Sequence, residues 1–141
     1  VHLDGFDMLP YLSGKVKESP RNSFFYISDD GDILGVRYDN WKVVFMEQRC
    51  PGTCMIWSEP LVTLRTPKIF NLRTDPYEHA DITCNSYWDW MFDHVYLLVP
   101  AQSLVAQFLS SFKEFPPRQK AASFNLDSVM EKMFQGASGG A

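Results

Sequence analysis

The apolar residues of this 141-residue chain change their spacing once, and that change restricts the folds open to it. Between residues 23 and 73 they fall in short runs rich in β-branched and aromatic side chains. Turns bearing Gly, Asp, Asn and Pro separate the runs, which is strand patterning. After Ser86 they recur at three- and four-residue intervals, which is helix patterning. Strands joined by short turns pair as antiparallel neighbours, and helices that follow them pack on a face of the sheet. The order favours α+β over an alternating α/β fold.

The turns divide the first half. Phe24–Ile27 reads as a strand, Asp29-Asp30-Gly31-Asp32 as a turn, and Ile33–Tyr38 as the next strand. Asp39-Asn40 is a two-residue hairpin loop leading into a third strand, Trp41–Met46. Arg49 to Pro60, with Pro51 and Gly52, reads as an excursion. Leu61–Arg65 is a short strand within it, and Ile69–Arg73 resumes as the fourth main strand. Asp75-Pro76 opens a polar connection. Ser86 with Asp89 predicts a capped helix start, and Trp88, Met91, Phe92, Val95 and Val99 predict its buried face. Trp90 points elsewhere and is a candidate for contact with another domain. Pro100 should kink or restart the helix. Leu104, Val105, Phe108 and Phe112 continue it, and Pro116-Pro117 stops it. Leu126, Val129, Met130, Met133 and Phe134 predict one more short helix, capped by Asn125 and ended by Gly136.

The expected architecture is a four-stranded antiparallel sheet packed on one face by a long C-terminal helix, in two layers, plus a short final helix. Residues 1–22 form a lead-in with one helical turn near Leu9–Gly14, residues 23–134 form the α+β unit, and residues 135–141 form a flexible tail. Val at position 1 suggests a piece of a longer polypeptide.

Apolar residues make up 45% of the chain and aromatic ones 15%, enough for a core and too many for disorder. The net charge of −4 excludes nucleic-acid binding by general phosphate attraction and gives no reason to expect an anionic membrane as partner. The sequence shows no apolar run approaching the roughly 20 residues of a membrane span. Asp4 and Asp7, with no Lys or Arg in the first ten residues, do not make a secretory signal. Nothing names a compartment.

Three segments, in order, resemble the C-terminal subdomain of sulfatases of the arylsulfatase family, within the alkaline-phosphatase-like superfamily. They are Gly5-Phe-Asp-Met-Leu-Pro-Tyr-Leu-Ser-Gly14, Gly35-Val-Arg-Tyr-Asp-Asn-Trp-Lys42, and Ile69-Phe-Asn-Leu-Arg-Thr-Asp-Pro-Tyr-Glu78. The resemblance implies a small domain of four antiparallel strands and a helix, attached to a larger α/β domain that does the chemistry. It also implies, for the parent enzyme, a formylglycine nucleophile made from the Cys of a Cys-x-Pro-x-Arg sequence, and a divalent cation, usually calcium.

Those parts are not in this chain. Cys50-Pro51-Gly52-Thr53-Cys54 has Pro one place early and Cys54 where Arg belongs. It reads as a turn with a local disulfide or two ordinary thiols. Asp29, Asp30 and Asp32 read as a solvated turn and lack the calcium-loop spacing. Cys50, Cys54, His79 and Cys84 hold enough ligand atoms for zinc but have no finger spacing. His79 and His94 are weak candidates as bases for a cysteine nucleophile. Trp41 and Lys42 should lie on opposite faces of their strand, and Glu78 could pair with Arg73. No catalytic, cofactor-binding or metal residue is assigned.

The expectation is a non-catalytic subdomain that packs on the catalytic domain of its own polypeptide, helps shape the substrate cleft and is inactive alone. Isolated, it would tend to self-associate. The rival is a stand-alone ligand- or protein-binding module, with Arg37, Arg65 and Arg73 as possible contacts to an anionic group.

Overall fold

A computed structural model describes residues 5–50 and 52–116. Its elements run α1 (Leu9–Leu12), β1 (Ser23–Ile27), β2 (Ile33–Tyr38), β3 (Trp41–Gln48), β4 (Leu61–Asn71), α2 (Ala80–Thr83), α3 (Tyr87–Asp93) and α4 (Leu98–Ser110). Short 3-10 turns lie at Cys54–Trp57, Val95–Leu97 and Ser111–Lys113. The sheet is antiparallel with order β1-β2-β3-β4, so the α+β reading holds.

Register sorts the side chains into rows. Phe25, Val36, Val43 and Ile69 face each other across the four strands, and Val36, Val43 and Ile69 are buried. The long helix covers this row. Phe108 stacks on Phe25 at 4.4 Å, and Leu97, Leu98, Ala101, Leu104 and Val105 pack on the core. One residue out of phase, Phe24, Arg37, Lys42 and Phe70 form a row on the opposite face. Beside that row lies Gly35, where an added Cβ would stand 2.6 Å from the Val43 carbonyl oxygen.

The turns follow their sequences. Gly31 takes a positive φ of 93°, and the Asp32 amide donates to Ser28 Oγ at 3.0 Å. Asp39 takes the positive φ that its tight loop requires. In α1, Pro10 sits in the first turn and Gly14 follows at positive φ.

Three expectations are corrected. First, Leu61–Arg65 and Ile69–Arg73 are not separate strands, because β4 runs unbroken from Leu61 to Asn71. Pro67 is tolerated because β4 is an edge strand. A register shift between Val44 and Met46 lets β3 reach Gln48 and pair along both halves of β4.

Second, the helix after Ser86 is not continuous through Val99. It ends at Asp93, passes a 3-10 turn and restarts at Leu98, so Pro100 falls in a first turn and needs no kink. The buried stripe is Tyr87, Met91, Leu97, Leu98 and Ala101, with Trp90 beside it. Trp88, Phe92, Val95 and Val99 are exposed. Both stripes of α3 are apolar, so spacing alone does not tell which one meets the sheet. Ser86 makes no capping hydrogen bond, and its hydroxyl contacts Cys84 Sγ instead.

Third, the helical stretch Val95–Lys113 is 19 residues long and apolar enough to cross a membrane by length and composition. The sequence reading found no such run because Pro100, Gln102, Ser103 and Gln107 interrupt it, yet none of these carries charge. Here its inner stripe is the cover of the sheet. The expected helix at Leu126–Phe134 lies outside the described residues.

Candidate functional site

The segment after β4 wraps the edge of the sheet. Asn71 begins the wrap, its side-chain oxygen accepting from Asn40 Nδ2 at 3.0 Å and from the Arg73 amide at 3.1 Å. The Asp75 carboxylate then accepts from the His79 and Ala80 amides, closing the start of α2. Burial works to raise the Asp75 pKa, but those amide hydrogen bonds outweigh it and hold the carboxyl below its ordinary value. These bonds explain why Asn71, Asp75 and Pro76 stand where they do: they build a turn.

Glu78 takes a positive φ and aims its carboxylate at Lys42 Nζ, 2.7 Å away. The expected partner Arg73 is not the one used. Lys42 lies directly opposite Arg37 in the register, a like-charge neighbour, and Glu78 relieves that repulsion. As expected, Lys42 and Trp41 diverge: Lys42 sits over the Tyr26 ring, while Trp41 stacks with Trp90 and His94.

A second ionic group adjoins it. Lys68 bridges Glu47 at 2.5 Å and Asp81 at 2.7 Å. The Lys68 hydrogen bond lowers the Glu47 pKa. Burial alone would lower that of Lys68, but its two carboxylate partners raise it. Asp81 Oδ1 is buried and has no hydrogen-bond partner among the described residues. Sequence reading missed this group, whose members lie on three different elements.

Tyr87, also missed, closes the edge. Its hydroxyl accepts from the Ile69 amide at 3.2 Å and donates to the Ile69 carbonyl at 3.0 Å. Burial pushes its pKa up to about 12.

The candidate chemistry does not assemble. Cys50, Cys54 and Cys84 are free thiols. Cys50 Sγ donates to the Gly52 carbonyl, and the exposed Cys84 thiol has its pKa lowered by its hydrogen bond with Ser86. The His94 ring stacks on Trp90 at 4.4 Å, and its Nδ1 must donate to the Trp90 carbonyl, 2.7 Å away, which can only accept. Among the described residues no group of three or more His, Cys, Asp or Glu side chains is placed to hold a metal. The residues present therefore do not fit a calcium cage, and the Cys50–Cys54 stretch does not fit a formylglycine precursor. Trp90, the expected contact to another domain, is instead half-buried against the core.

Of the three expected arginines, Arg37 lines an open cavity of about 540 Å³ together with Arg21, which sequence reading passed over. Arg65 lies two strands away on β4, and Arg73 lies in the turn after it.

Comparison with known families agrees with this arrangement. No curated protein matches the chain. The family model for the C-terminal region of aryl-sulfatase matches residues 19–136, most of its length. A four-stranded sheet, a signature turn locked to it and a covering helix are thus the parts of a chain that belongs to the aryl-sulfatase C-terminal family.

Proposed function

We propose that this chain is the non-catalytic C-terminal subdomain of an arylsulfatase-like sulfuric ester hydrolase. It packs on a catalytic domain of the same polypeptide and helps shape the entrance to the substrate cleft. The observation that carries this reading is the outer stripe of the α3–α4 region. Trp88, Phe92, Val95, Tyr96 and Val99 are 48%, 61%, 45%, 60% and 67% exposed. So many large apolar side chains on one side of a small domain mark an interface. The family is by its own description a C-terminal region, which supports a domain before it as the occupant. Formylglycine and the divalent cation that the resemblance implies, calcium, would belong to that domain. This chain would contribute walls, not reacting groups.

The test expresses the chain with and without its upstream region. The joined protein should turn over an aryl sulfate ester, and the chain alone should not. Co-expressed as two pieces, the halves should co-purify, and Phe92→Glu with Val99→Glu should abolish that while leaving the chain's circular dichroism unchanged. Turnover by the chain alone, or pairing of two copies through this stripe in preference to the upstream domain, overturns the reading.

A further inference from the structure

The face of the sheet beneath α4 is closed at one end of its strands and open at the other. We propose that the open end is the docking site of this chain's own segment Leu126–Phe134. The outer stripe of the α3–α4 region plays no part in it.

A helix is about 10 Å across and a strand rises about 3.3 Å per residue, so one helix covers about three residues of each strand it crosses. β3 has eight residues and β4 has eleven, more than α4 can cover. The helix crosses at the row of Phe25, Val36, Val43 and Ile69, where Phe108 stacks on Phe25 and Ala101 enters the core. On one flank Pro100 and Leu104 share a small cleft with Tyr38 and Trp41, the residues at the β2–β3 turn. The other flank, Val105 and Leu109, one turn apart, therefore looks toward the opposite end of the strands, where β1 turns into β2.

The apolar face continues there as a shelf. Tyr26 pairs with Gly35 and Ile27 with Ile33, so the extra residue, Leu34, belongs to β2 and β1 keeps its alternation. Ile27 thus lies on the same face as Phe25, one step further along. Phe45 stands two residues beyond Val43 on β3 and is only partly buried against the core. Ile27 is 49% exposed, and Leu109 on the facing flank of α4 is 45% exposed.

The chain that follows α4 supplies the occupant. Phe112 packs edge to face on Phe108, so the helix leaves the sheet on the β1 side, and the described residues end soon after, at position 116. Nine residues, 117–125, precede Leu126. They span up to about 30 Å, enough to turn back onto the shelf. Leu126, Val129, Met130, Met133 and Phe134 share one apolar face, and a helix this short needs a surface to form on. The family match runs to residue 136, so the unit common to the family includes this segment. Charge favours the path. Arg118 and Lys120 lie in the connection, and the β1–β2 turn beside the shelf carries Asp29, Asp30 and Asp32.

The experiment uses the full chain with Cys50, Cys54 and Cys84 each replaced by Ser. Leu109→Cys is paired in turn with Leu126→Cys, Met130→Cys and Phe134→Cys, and cross-links formed on mild oxidation are read by non-reducing electrophoresis and mass spectrometry. At least one pair should close within a single chain about tenfold more than Val99→Cys does with the same three, because docking raises the local concentration above that of a tethered free segment. A second measurement needs no added cysteine. Met130→Glu with Met133→Glu should lower the urea midpoint and raise binding of an apolar dye, and should change little further in a chain that already carries Leu109→Glu. Equal cross-linking from Leu109→Cys and Val99→Cys overturns the proposal, as do Met130→Glu and Met133→Glu effects that add in full to those of Leu109→Glu. Cross-links that join two chains would assign the shelf to a second copy. Met130→Glu and Met133→Glu that leave the lone chain unchanged but break its capture by the upstream domain would assign the segment to that domain. Either result also overturns the proposal.

Discussion

Replacing Tyr87 by Phe removes one oxygen and tests how the open edge of the sheet is closed. β4 is an edge strand, and among the described residues its Ile69 amide and carbonyl both bond to the Tyr87 hydroxyl. Ile69 is 0% and Tyr87 1% exposed, so water cannot take the place of the lost oxygen. Each buried group left unpaired costs about 1–3 kcal/mol, so Tyr87→Phe, which strands two, should lose about 2–6 kcal/mol with the ring still packed. With a urea slope of about 2 kcal/mol per molar, the midpoint should fall by about 1–3 M. Urea titration read by circular dichroism and tryptophan fluorescence measures it. A midpoint within about 0.3 M of the parent refutes the reasoning. The same bond sets an alkaline limit. The phenol's pKa is about 12 when folded, against about 10 in an open chain. Between these values the unfolded chain has lost the proton and the folded one keeps it. Stability must therefore fall as pH rises, by about 1.4 kcal/mol per unit from this residue. That share of the slope should vanish in Tyr87→Phe.

Two further substitutions address the sheet. Gly35→Ala puts a Cβ 2.6 Å from the Val43 carbonyl oxygen, which is backbone and cannot rotate away. Strands β2 and β3 must separate, at a cost of about 1–3 kcal/mol, and a melting temperature within about 2 °C of the parent contradicts this. Lys68→Met strands the Glu47 and Asp81 carboxylates without their shared cation. It should cost about 1–3 kcal/mol at pH 7, less than for a fully buried pair because the group is partly solvated. The stabilisation of ionised Glu47 is present above its ordinary pKa of 4.5 and is lost as pH falls. The gap between parent and variant in urea should therefore narrow in acid, and a gap independent of pH would speak against the ionic account.

Much of the fold was legible because its signals are local. The Asp29–Asp32 and Asp39-Asn40 turns needed only the backbone freedom of their own residues, and they fixed three strands and their order. The Asn71–Glu78 segment was legible as a motif, but its partners were not. Glu78 looked near Arg73 along the chain, whereas the turn's positive φ carries its carboxylate to Lys42, 36 residues away in sequence. Arg21 went unnoticed because its meaning depends on Phe24 and Arg37 sharing a face, which follows only from the β1–β2 register.

Taken alone, the order of apolar periods determined that this chain would build an antiparallel sheet first and a helical cover second, since strand and helix repeats are properties of neighbouring residues. Tertiary structure decided which stripe of an all-round apolar helix would be covered. Trp88 and Phe92 are as apolar as Tyr87 and Met91, and long-range contacts hold α3 with the second pair buried: the Tyr87 hydroxyl on the Ile69 edge, the Tyr87 ring on Phe70 and the Trp90 ring on Trp41. The first pair is left outward, and that outcome, set by contacts between residues far apart in the sequence, creates the exposed apolar stripe of α3.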